Sequence, residues 1–334
     1  MSISHLPIID IGPLRRGIGD SEVVADAIAQ ACTDTGFFYV TGHNISETLQ
    51  SRLTDLSSDF FDQDDASKNR VCMAKGGPAW RGFFPVGGEL TSGVPDIKEG
   101  IYFGAELGAS HPLVLAGTPL HGPNQFPDYP AELRDVVLEY ISEMISLSHC
   151  IMRGVALSLK LPPNYFEEGA MRDPLVLFRI FNYPVPKESE VNEWGVGEHT
   201  DYGFLTVLKQ GDNGGLEVKS RGGWISAPPI PNSFVCNIGD MLDRLTGGLY
   251  KSTPHRVKNS SGRKRMSFPF FFDPNFFSKV EILPLSKSKA ELDDSLERWD
   301  KANPHAFEGT YGDYVISKVG KVFPGLKSKV ISGK

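Results

Sequence analysis

The sequence has few cysteines and lacks any apolar run of membrane-spanning length. Its 334 residues include four cysteines, Cys32, Cys72, Cys150 and Cys236, which are far apart and form no CxxC pair. This spacing argues against a zinc–thiolate site and is typical of unpaired thiols in a reducing compartment. A secretory signal is absent from the first residues, MSISHLPIIDIG, as is any window of about 18 apolar residues. We therefore expect a cytoplasmic protein with no membrane partner.

Positive charge and the common nucleotide-binding motifs are also scarce. The 34 lysines and arginines are outnumbered by 41 aspartates and glutamates, which gives a net charge of −7. This balance argues against a nucleic-acid partner. The chain has no GxGxxG or GxxxxGK before a predicted helix and no GxSxG elbow, which disfavours dinucleotide, P-loop and serine-hydrolase functions. We expect a small-molecule substrate, and the composition predicts no particular oligomeric state.

Glycine, proline and phenylalanine are abundant instead, with 35, 24 and 21 residues. From about residue 175 onward, short aromatic or β-branched runs alternate with turn residues, which is typical of an antiparallel sandwich or barrel closed like a jelly roll. The predicted strands of this region are Leu175–Phe181, Phe204–Lys209, Leu216–Lys219, Trp224–Ala227, Phe234–Ile238, His255–Val257, Met266–Phe272 and Val280–Leu283.

The rest of the chain predicts a mixture of helices and strands. Helical apolar spacing covers Glu47–Phe61 and, most clearly, Pro130–Leu161, and a C-terminal helix is expected over Glu308–Val322. No flexible linker separates the long helix from the strands. We therefore predict a mixed, β-rich fold in one compact unit. An N-terminal α/β layer over residues 1–125 would pack on a core over residues 126–334, which holds the long helix, the jelly roll and the C-terminal helix.

The strongest chemical signal is the segment HTDYG, followed later by STPHRV. Side chains two apart in an extended strand point the same way, so His199 and Asp201 can reach one ion, and a distant strand can bring His255 beside them. Two imidazoles and one carboxylate form the facial triad of non-haem Fe(II) oxygenases, which leaves coordination positions open. Zinc with a bound water can use the same ligands.

A second group of residues fits an anionic cosubstrate. Arg265 and Ser267 share one face of a strand whose next residues, FPFFF, are strongly apolar. A guanidinium fork with a hydroxyl group makes a charge-assisted clamp for a carboxylate, and an arginine entering a core needs an anionic partner. The alternative is a surface charge in the basic run Arg263–Arg265. Tyr183, at the end of a predicted strand, can add a phenol donor to the same anion.

Together, HTDYG, STPHRV and RMSFPFFFDPN resemble the Fe(II)/2-oxoglutarate-dependent oxygenases, in particular the isopenicillin N synthase-like branch. The segments LPIIDIGPL and TGFFYVTGHNI are similar to the N-terminal region of that family, so the resemblance spans nearly the whole chain. It implies a double-stranded β-helix core and Fe(II), 2-oxoglutarate and O2 as cofactor and cosubstrates. Carried over onto this sequence, it assigns iron to His199, Asp201 and His255. It assigns the distal carboxylate of 2-oxoglutarate to Arg265 and Ser267, with help from Tyr183.

The implied function is oxidation, most commonly hydroxylation, of a small metabolite with release of succinate and CO2. Three alternatives share some of these residues. A 2-oxoglutarate-independent Fe(II) oxidase of the isopenicillin N synthase type keeps both the triad and the Arg-x-Ser pair. A zinc hydrolase uses the triad but leaves Arg265 without a role, and a non-catalytic small-molecule binding module leaves the triad unexplained.

The substrate pocket is predicted only by its surroundings. Tyr102 and Phe272 are candidate pocket residues, with core packing as the alternative. The carboxylates of Glu89, Asp96 and Glu193 can favour a cationic substrate, although acidic residues in loops are more commonly solvated.

Overall fold

The structure, a computed structural model, describes residues 4–17, 20–185, 194–285, 293, 295–296 and 298–324. Its strands are three to nine residues long and lie between residues 8 and 273. The strands are β1 Ile8–Asp10, β2 Phe37–Thr41, β3 Gly82–Phe84, β4 Glu99–Gly104, β5 Leu175–Tyr183, β6 Val196–His199, β7 Leu205–Gln210, β8 Leu216–Ser220, β9 Gly223–Ser226, β10 Phe234–Ile238, β11 His255–Val257 and β12 Arg265–Asp273.

The helices lie mainly in the first half of the chain and at its C-terminal side. They are α1 Gly12–Arg16, α2 Ser21–Asp34, α3 Glu47–Phe61, α4 Asp65–Lys68, α5 Pro112–Leu115, α6 Leu133–Ser158, α7 Tyr165–Glu168, α8 Asp240–Leu245 and α9 Tyr311–Val322. The helix α9 begins with a capping box between Thr310 and Asp313, which satisfies backbone donors at its first turn.

The strands form two sheets. The larger has the order β1-β2-β10-β7-β12-β5-β4-β3, and the smaller has the order β6-β11-β8-β9. Neighbouring strands are antiparallel, except for β1 and β2, which are parallel. The N-terminal strand β2 pairs directly with β10, so the N-terminal layer continues the sheet of the core. The division of the chain into residues 1–125 and 126–334 stays a prediction.

The long helix α6 supports the larger sheet from behind. Its apolar residues recur at helical spacing, and residues such as Val137, Tyr140 and Ile151 are fully buried. The helix packs against α2 and α3 and also against β7 and β12. This packing fixes the back of β12, the strand that carries Arg265 and Ser267.

From residue 175 onward, the predicted strands agree with the structure except in two places. The predicted strand Val280–Leu283 is wrong, because its backbone serves other partners: Arg244 Nε donates to the carbonyl of Val280, and the amide of Leu283 donates to the carbonyl of Leu245. The strand β6 is missing from the prediction, because its four residues, VGEH, contain glycine and only one apolar side chain.

None of the helices in the described part of the chain combines the length and the apolar character needed to cross a bilayer.

Candidate active site

The two histidines of the HTDYG and STPHRV segments lie on neighbouring strands. The antiparallel pairing of β6 with β11 places His199 directly opposite His255. Their rings are in contact, with centroids 4.2 Å apart. Asp201 follows β6 in the turn that leads to β7. The strand register thus unites residues from separate segments.

The side chains of these three residues point their ligand atoms at one place. The Asp201 Oδ1 atom lies 4.0 Å from His199 Nε2 and 3.9 Å from His255 Nε2. One ligand atom from each residue lies within 4.8 Å of the other two. These distances are short enough for one divalent ion to contact all three atoms, because metal–nitrogen and metal–oxygen bonds are about 2.0–2.2 Å long.

Each imidazole is oriented by a hydrogen bond of its Nδ1 atom, the nitrogen that faces away from Asp201. The Nδ1 atom of His199 lies 2.8 Å from the carbonyl oxygen of Gly197, and that of His255 lies 3.2 Å from the carbonyl of Thr253. Donation from Nδ1 to a carbonyl fixes the tautomer in which Nε2 keeps its lone pair. Both Nε2 atoms are therefore available as metal ligands.

The carboxylate of Asp201 is held through its second oxygen. Thr206 Oγ1 donates to Asp201 Oδ2 at 2.6 Å, and Asn237 Nδ2 donates to the same atom at 2.7 Å. These bonds leave Oδ1 facing the imidazoles. Outer partners of this kind orient a ligating carboxylate and tune its affinity for the metal.

Burial and neighbouring groups keep His199 and Asp201 in the protonation states that bind metals. Burial, followed by the neighbouring imidazole of His255, lowers the pKa of His199 to about 3, so the ring is neutral at neutral pH. Burial by itself raises the pKa of Asp201, but His255, His199 and the two hydrogen-bond donors together lower it below its ordinary value. The site therefore presents a neutral imidazole at His199 beside the carboxylate of Asp201.

Arg265, Ser267 and Tyr183 meet on two paired strands. In the pairing of β12 with β5, Arg265 lies opposite Tyr183. The guanidinium carbon lies 4.7 Å from the centre of the Tyr183 ring, and Ser267 Oγ lies 3.4 Å from the Tyr183 hydroxyl. The three side chains form one polar patch on a mostly apolar surface.

The guanidinium of Arg265 is buried without a carboxylate. Its residue is 1% exposed, and its Nε donates to the carbonyl of Gly214 at 2.9 Å. Its Nη1 and Nη2 atoms have no hydrogen-bond partner among the described residues. A buried cation with two unsatisfied donors is costly unless an anion completes it. The alternative of a surface charge is therefore wrong for Arg265.

A single cavity connects the triad with this patch. It lies between the two sheets, and apolar side chains such as Leu216 and Val257 make much of its wall. The triad, the two partners of Asp201 and the polar patch also line it: His199, Asp201, His255, Thr206, Asn237, Arg265, Ser267 and Tyr183. A ligand in the cavity can therefore contact the metal ligands and the arginine together.

Comparisons with known proteins match this arrangement. The family model for the non-haem dioxygenase N-terminal region, described from morphine synthesis, matches residues 6–129, and that for the 2OG-Fe(II) oxygenase superfamily matches residues 174–274. A probable iron/ascorbate oxidoreductase of Dictyostelium discoideum is 49% identical, over 99% of this chain and 98% of the relative. The chain belongs to the 2OG-Fe(II) oxygenase superfamily.

Other relatives of this oxygenase carry names of enzymes that act on different molecules. A 1-aminocyclopropane-1-carboxylate oxidase of Dictyostelium discoideum is 39% identical over 97% of this chain and 96% of the relative. A homoarginine-6-hydroxylase of Arabidopsis thaliana is 38% identical over 94% and 96%. The crystal structure of a full-length Neurospora crassa protein in complex with alpha-KG and thymine superposes with a TM-score of 0.76 at 28% identity, covering 94% of this chain and 96% of that one.

These findings confirm the predicted fold and enzyme class. The fold is a jelly-roll core with flanking helices, and the protein is a non-haem Fe(II)/2-oxoglutarate-dependent dioxygenase. The predicted use of Fe(II), 2-oxoglutarate and O2 is likewise confirmed. The zinc hydrolase and the non-catalytic binding module are set aside.

The residues that line the cavity fit both Fe(II) and 2-oxoglutarate. The donor set of two imidazoles and one carboxylate suits Fe(II) and leaves further coordination positions to other ligands. The unpartnered Nη1 and Nη2 atoms of Arg265 fit a carboxylate, which accepts two parallel hydrogen bonds from a guanidinium.

The two predicted pocket residues lie elsewhere. The side chains of β12 that line the cavity are those of odd-numbered residues, including Phe271 and Asp273, whereas Phe272 points to the opposite face. There Phe272 is fully buried and packs edge-on against His149, with centroids 4.8 Å apart. Tyr102 does not line this cavity, but its hydroxyl donates to Glu89 Oε1 at 2.7 Å, and Glu89 does line it.

The acidic residues of the predicted pocket loops are not solvated. Glu89 is 3% exposed and Asp96 is 1% exposed, because both pair with the buried ammonium of Lys98. Glu193 lies outside the described residues. The expectation of solvated loop carboxylates is therefore wrong for Glu89 and Asp96.

Several residues of the site were not predicted from the sequence. Thr206 and Asn237 sit inside apolar strands, where a polar residue on the inward face is a signal that it bonds to something buried. Arg179 occupies the middle of the apolar strand β5, which is a similar signal, and it also lines the cavity.

Proposed function

We propose that His199, Asp201 and His255 hold Fe(II) in this enzyme. The convergence of their ligand atoms and the neutral state of His199 support this assignment. Thr206 and Asn237 keep Asp201 Oδ1 turned toward the ion by holding Oδ2. The open side of the triad faces the cavity, where a substrate can approach.

Arg265, Ser267 and Tyr183 bind the distal carboxylate of 2-oxoglutarate in this proposal. The observation that carries it is the buried guanidinium of Arg265, a residue that lines the same cavity as the metal ligands and has two nitrogens without a hydrogen-bond partner among the described residues. A bidentate pair with a carboxylate gives these nitrogens the partner they lack. The Ser267 and Tyr183 hydroxyls add donors beside it.

The reaction proposed is hydroxylation of a small-molecule metabolite. Bound iron and 2-oxoglutarate supply O2 activation, in which one oxygen atom enters succinate, CO2 leaves, and the other oxygen atom enters a C–H bond of the substrate. The protein holds the cosubstrate and the substrate in register and lines the site with apolar residues such as Leu216, Val257 and Phe271. Excluding water from such a site limits side reactions.

A 2-oxoglutarate-independent Fe(II) oxidase is the second candidate. It is favoured by the relative named as a 1-aminocyclopropane-1-carboxylate oxidase, at 39% identity over most of both chains. Such an oxidase can keep the triad and the Arg-x-Ser pair, so these residues do not separate the two functions.

The stoichiometry of turnover separates them. The Fe(II)-loaded enzyme is supplied with O2 and a panel of small metabolites, in one series with 2-oxoglutarate and in another with ascorbate alone. We expect succinate and oxidised product to form together, in about equal amounts, only in the first series. Product formed with ascorbate alone and without succinate would establish the oxidase instead.

A further inference from the structure

The cavity has a charged wall that neither the metal ligands nor the carboxylate clamp uses. Glu89 lies between β3 and β4, Lys98 directly precedes β4, and Arg179 lies in the middle of β5. All three line the same cavity as the triad. Ionisable groups at such a depth are expensive to bury, so their position in a ligand cavity points to recognition of a charged ligand.

Lys98 is paired twice on this wall. Its Nζ lies 2.9 Å from Glu89 Oε2 and 2.5 Å from Asp96 Oδ2. Asp96 is fixed by a further hydrogen bond from Thr91 Oγ1 at 2.6 Å. If Glu89 turns to a ligand, Lys98 keeps Asp96 as its counterion. The wall can therefore release one carboxylate without leaving a buried ammonium unpaired.

Arg179 packs against two aromatic rings, but not all of its N–H donors have hydrogen-bond partners among the described residues. Its guanidinium carbon lies 4.2 Å from the centre of the Tyr102 ring and 4.8 Å from that of Phe271. Its Nη1 atom is 3.6 Å from Glu89 Oε1, a long separation for an ion pair, and its buried Nε has no hydrogen-bond partner among the residues described. Two rings thus orient a guanidinium that still has a donor to offer.

This wall is anchored next to the metal ligands. Ser92, three residues after Glu89, donates through Oγ to the carbonyl of Glu198 at 2.6 Å. Glu198 directly precedes His199 on β6. A ligand held by Glu89 and Arg179 therefore lies in the same cavity, beside the strand that presents the first metal ligand.

We propose that Arg179 and Glu89 form a subsite for the zwitterionic head of an α-amino acid. The carboxylate of the ligand accepts hydrogen bonds from Arg179, and its ammonium group donates to Glu89. This inference rests on the proposed function, because it names the substrate class of that same site. The side chain of the amino acid then extends to the metal.

The spacing and the signs of the charges favour this class over others. The two binding atoms lie 3.6 Å apart, and the carboxylate and ammonium groups of an α-amino acid, which share one carbon, can meet both at once. A ligand with a single charge would satisfy one group and face the like charge of the other in a desolvated site. A neutral ligand would give neither group a better partner than it has.

A titration with matched ligands tests the subsite. The protein is loaded with Fe(II) and 2-oxoglutarate under nitrogen and titrated calorimetrically with the twenty standard L-amino acids, 1-aminocyclopropane-1-carboxylate and L-homoarginine. We expect at least one to bind, and we expect its decarboxylated amine and its N-acetyl derivative each to bind at least about tenfold more weakly. The subsite would be overturned if no member of the panel binds. It would also be overturned if the amine and the N-acetyl derivative bind as tightly as the amino acid itself.

Variants locate the binding on the wall. We expect Glu89→Gln and Arg179→Gln each to weaken amino-acid binding about 10- to 100-fold and to leave Fe(II) and 2-oxoglutarate binding unchanged. Glu99→Gln is the matched control, because Glu99 is a buried carboxylate paired with Lys68 at 2.8 Å that does not line the cavity. We expect this control to bind the amino acid as the wild type does.

The outcomes separate this subsite from the proposed function. If the variants keep wild-type amino-acid affinity, or lose 2-oxoglutarate as strongly as the amino acid, the subsite is wrong and the proposed function stands. If the wild type does not bind 2-oxoglutarate, the proposed function fails, and the same titration of the Fe(II)-loaded protein without cosubstrate still tests the subsite. The ligand analogues keep the test decisive even for a variant that does not fold.

Discussion

Replacing Arg265 by alanine removes the centre of the proposed carboxylate clamp. In the wild type, Nε is engaged with the carbonyl of Gly214, whereas Nη1 and Nη2 have no hydrogen-bond partner within the described residues. These two atoms are the donors that a carboxylate would occupy. The variant should therefore lose affinity for 2-oxoglutarate while the three metal ligands, which bond to other residues, remain in place.

The size of the effect follows from those two donors. A hydrogen bond to a charged group contributes about 1.5–3 kcal/mol. Loss of two such bonds, partly offset by hydration of the new space, should cost about 3 to 4 kcal/mol. This corresponds to about 100- to 1,000-fold weaker binding of 2-oxoglutarate. Iron affinity should change by less than about threefold.

Equilibrium binding of each component measures this prediction. Calorimetric titration of the Fe(II)-loaded protein under nitrogen gives the Kd of 2-oxoglutarate, and competition with a chelator gives that of iron. Arg263→Ala is the control, because Arg263 belongs to the same basic run but is exposed and bonds to Asn213. Equal loss of iron and 2-oxoglutarate in Arg265→Ala, or the same loss in Arg263→Ala, would refute the clamp.

Three further substitutions probe the surroundings of the site. Asn237→Ala removes a donor to Asp201 and should weaken iron binding about 10- to 100-fold, measured by chelator competition, while wild-type affinity would show that the bond is unimportant. Phe272→Ala should lower the free energy of unfolding by about 3–5 kcal/mol in denaturant titrations and leave 2-oxoglutarate affinity unchanged. A loss of 2-oxoglutarate affinity without a loss of stability would show that Phe272 lines the pocket. Burial raises the pKa of Asp273 to about 7. Because this carboxyl group ionises at a lower pH in the unfolded chain than in the folded protein, the free energy of unfolding should fall by roughly 3 kcal/mol from pH 4 to 7, and Asp273→Asn should lack this fall. Parallel pH profiles of the two proteins would contradict this.

The sequence motifs identified candidate metal ligands, but they did not identify the residues that line the substrate pocket. His199, Asp201 and His255 could be selected as candidate metal ligands because HTDYG, STPHRV and RMSFPFFFDPN occur together in this order. Their mutual placement depends on the register of β6 against β11, and β6 itself was not predicted, since a four-residue strand with one apolar side chain leaves little periodic signal.

The pocket residues show where local patterns are insufficient. The side chains of the run Phe270–Phe272 alternate between the two faces of β12. Which face meets the cavity depends on the two strands that pair with β12, namely β5 and β7, and both are distant in the sequence. Glu89 was expected in solvent because it lies in a loop rich in glycine and proline. Its burial depends on Lys98, Tyr102 and Arg179, which reach it from other segments.

In the proposed function, one cavity holds Fe(II) on the triad and 2-oxoglutarate on Arg265. The most direct measurement is an anaerobic titration in which Fe(II) and then 2-oxoglutarate are added while the visible absorption spectrum is recorded. We predict a weak metal-to-ligand charge-transfer band that saturates at one equivalent of each and is absent from His199→Ala. No band in the wild-type protein, or an undiminished band in His199→Ala, would contradict this placement of Fe(II) and 2-oxoglutarate.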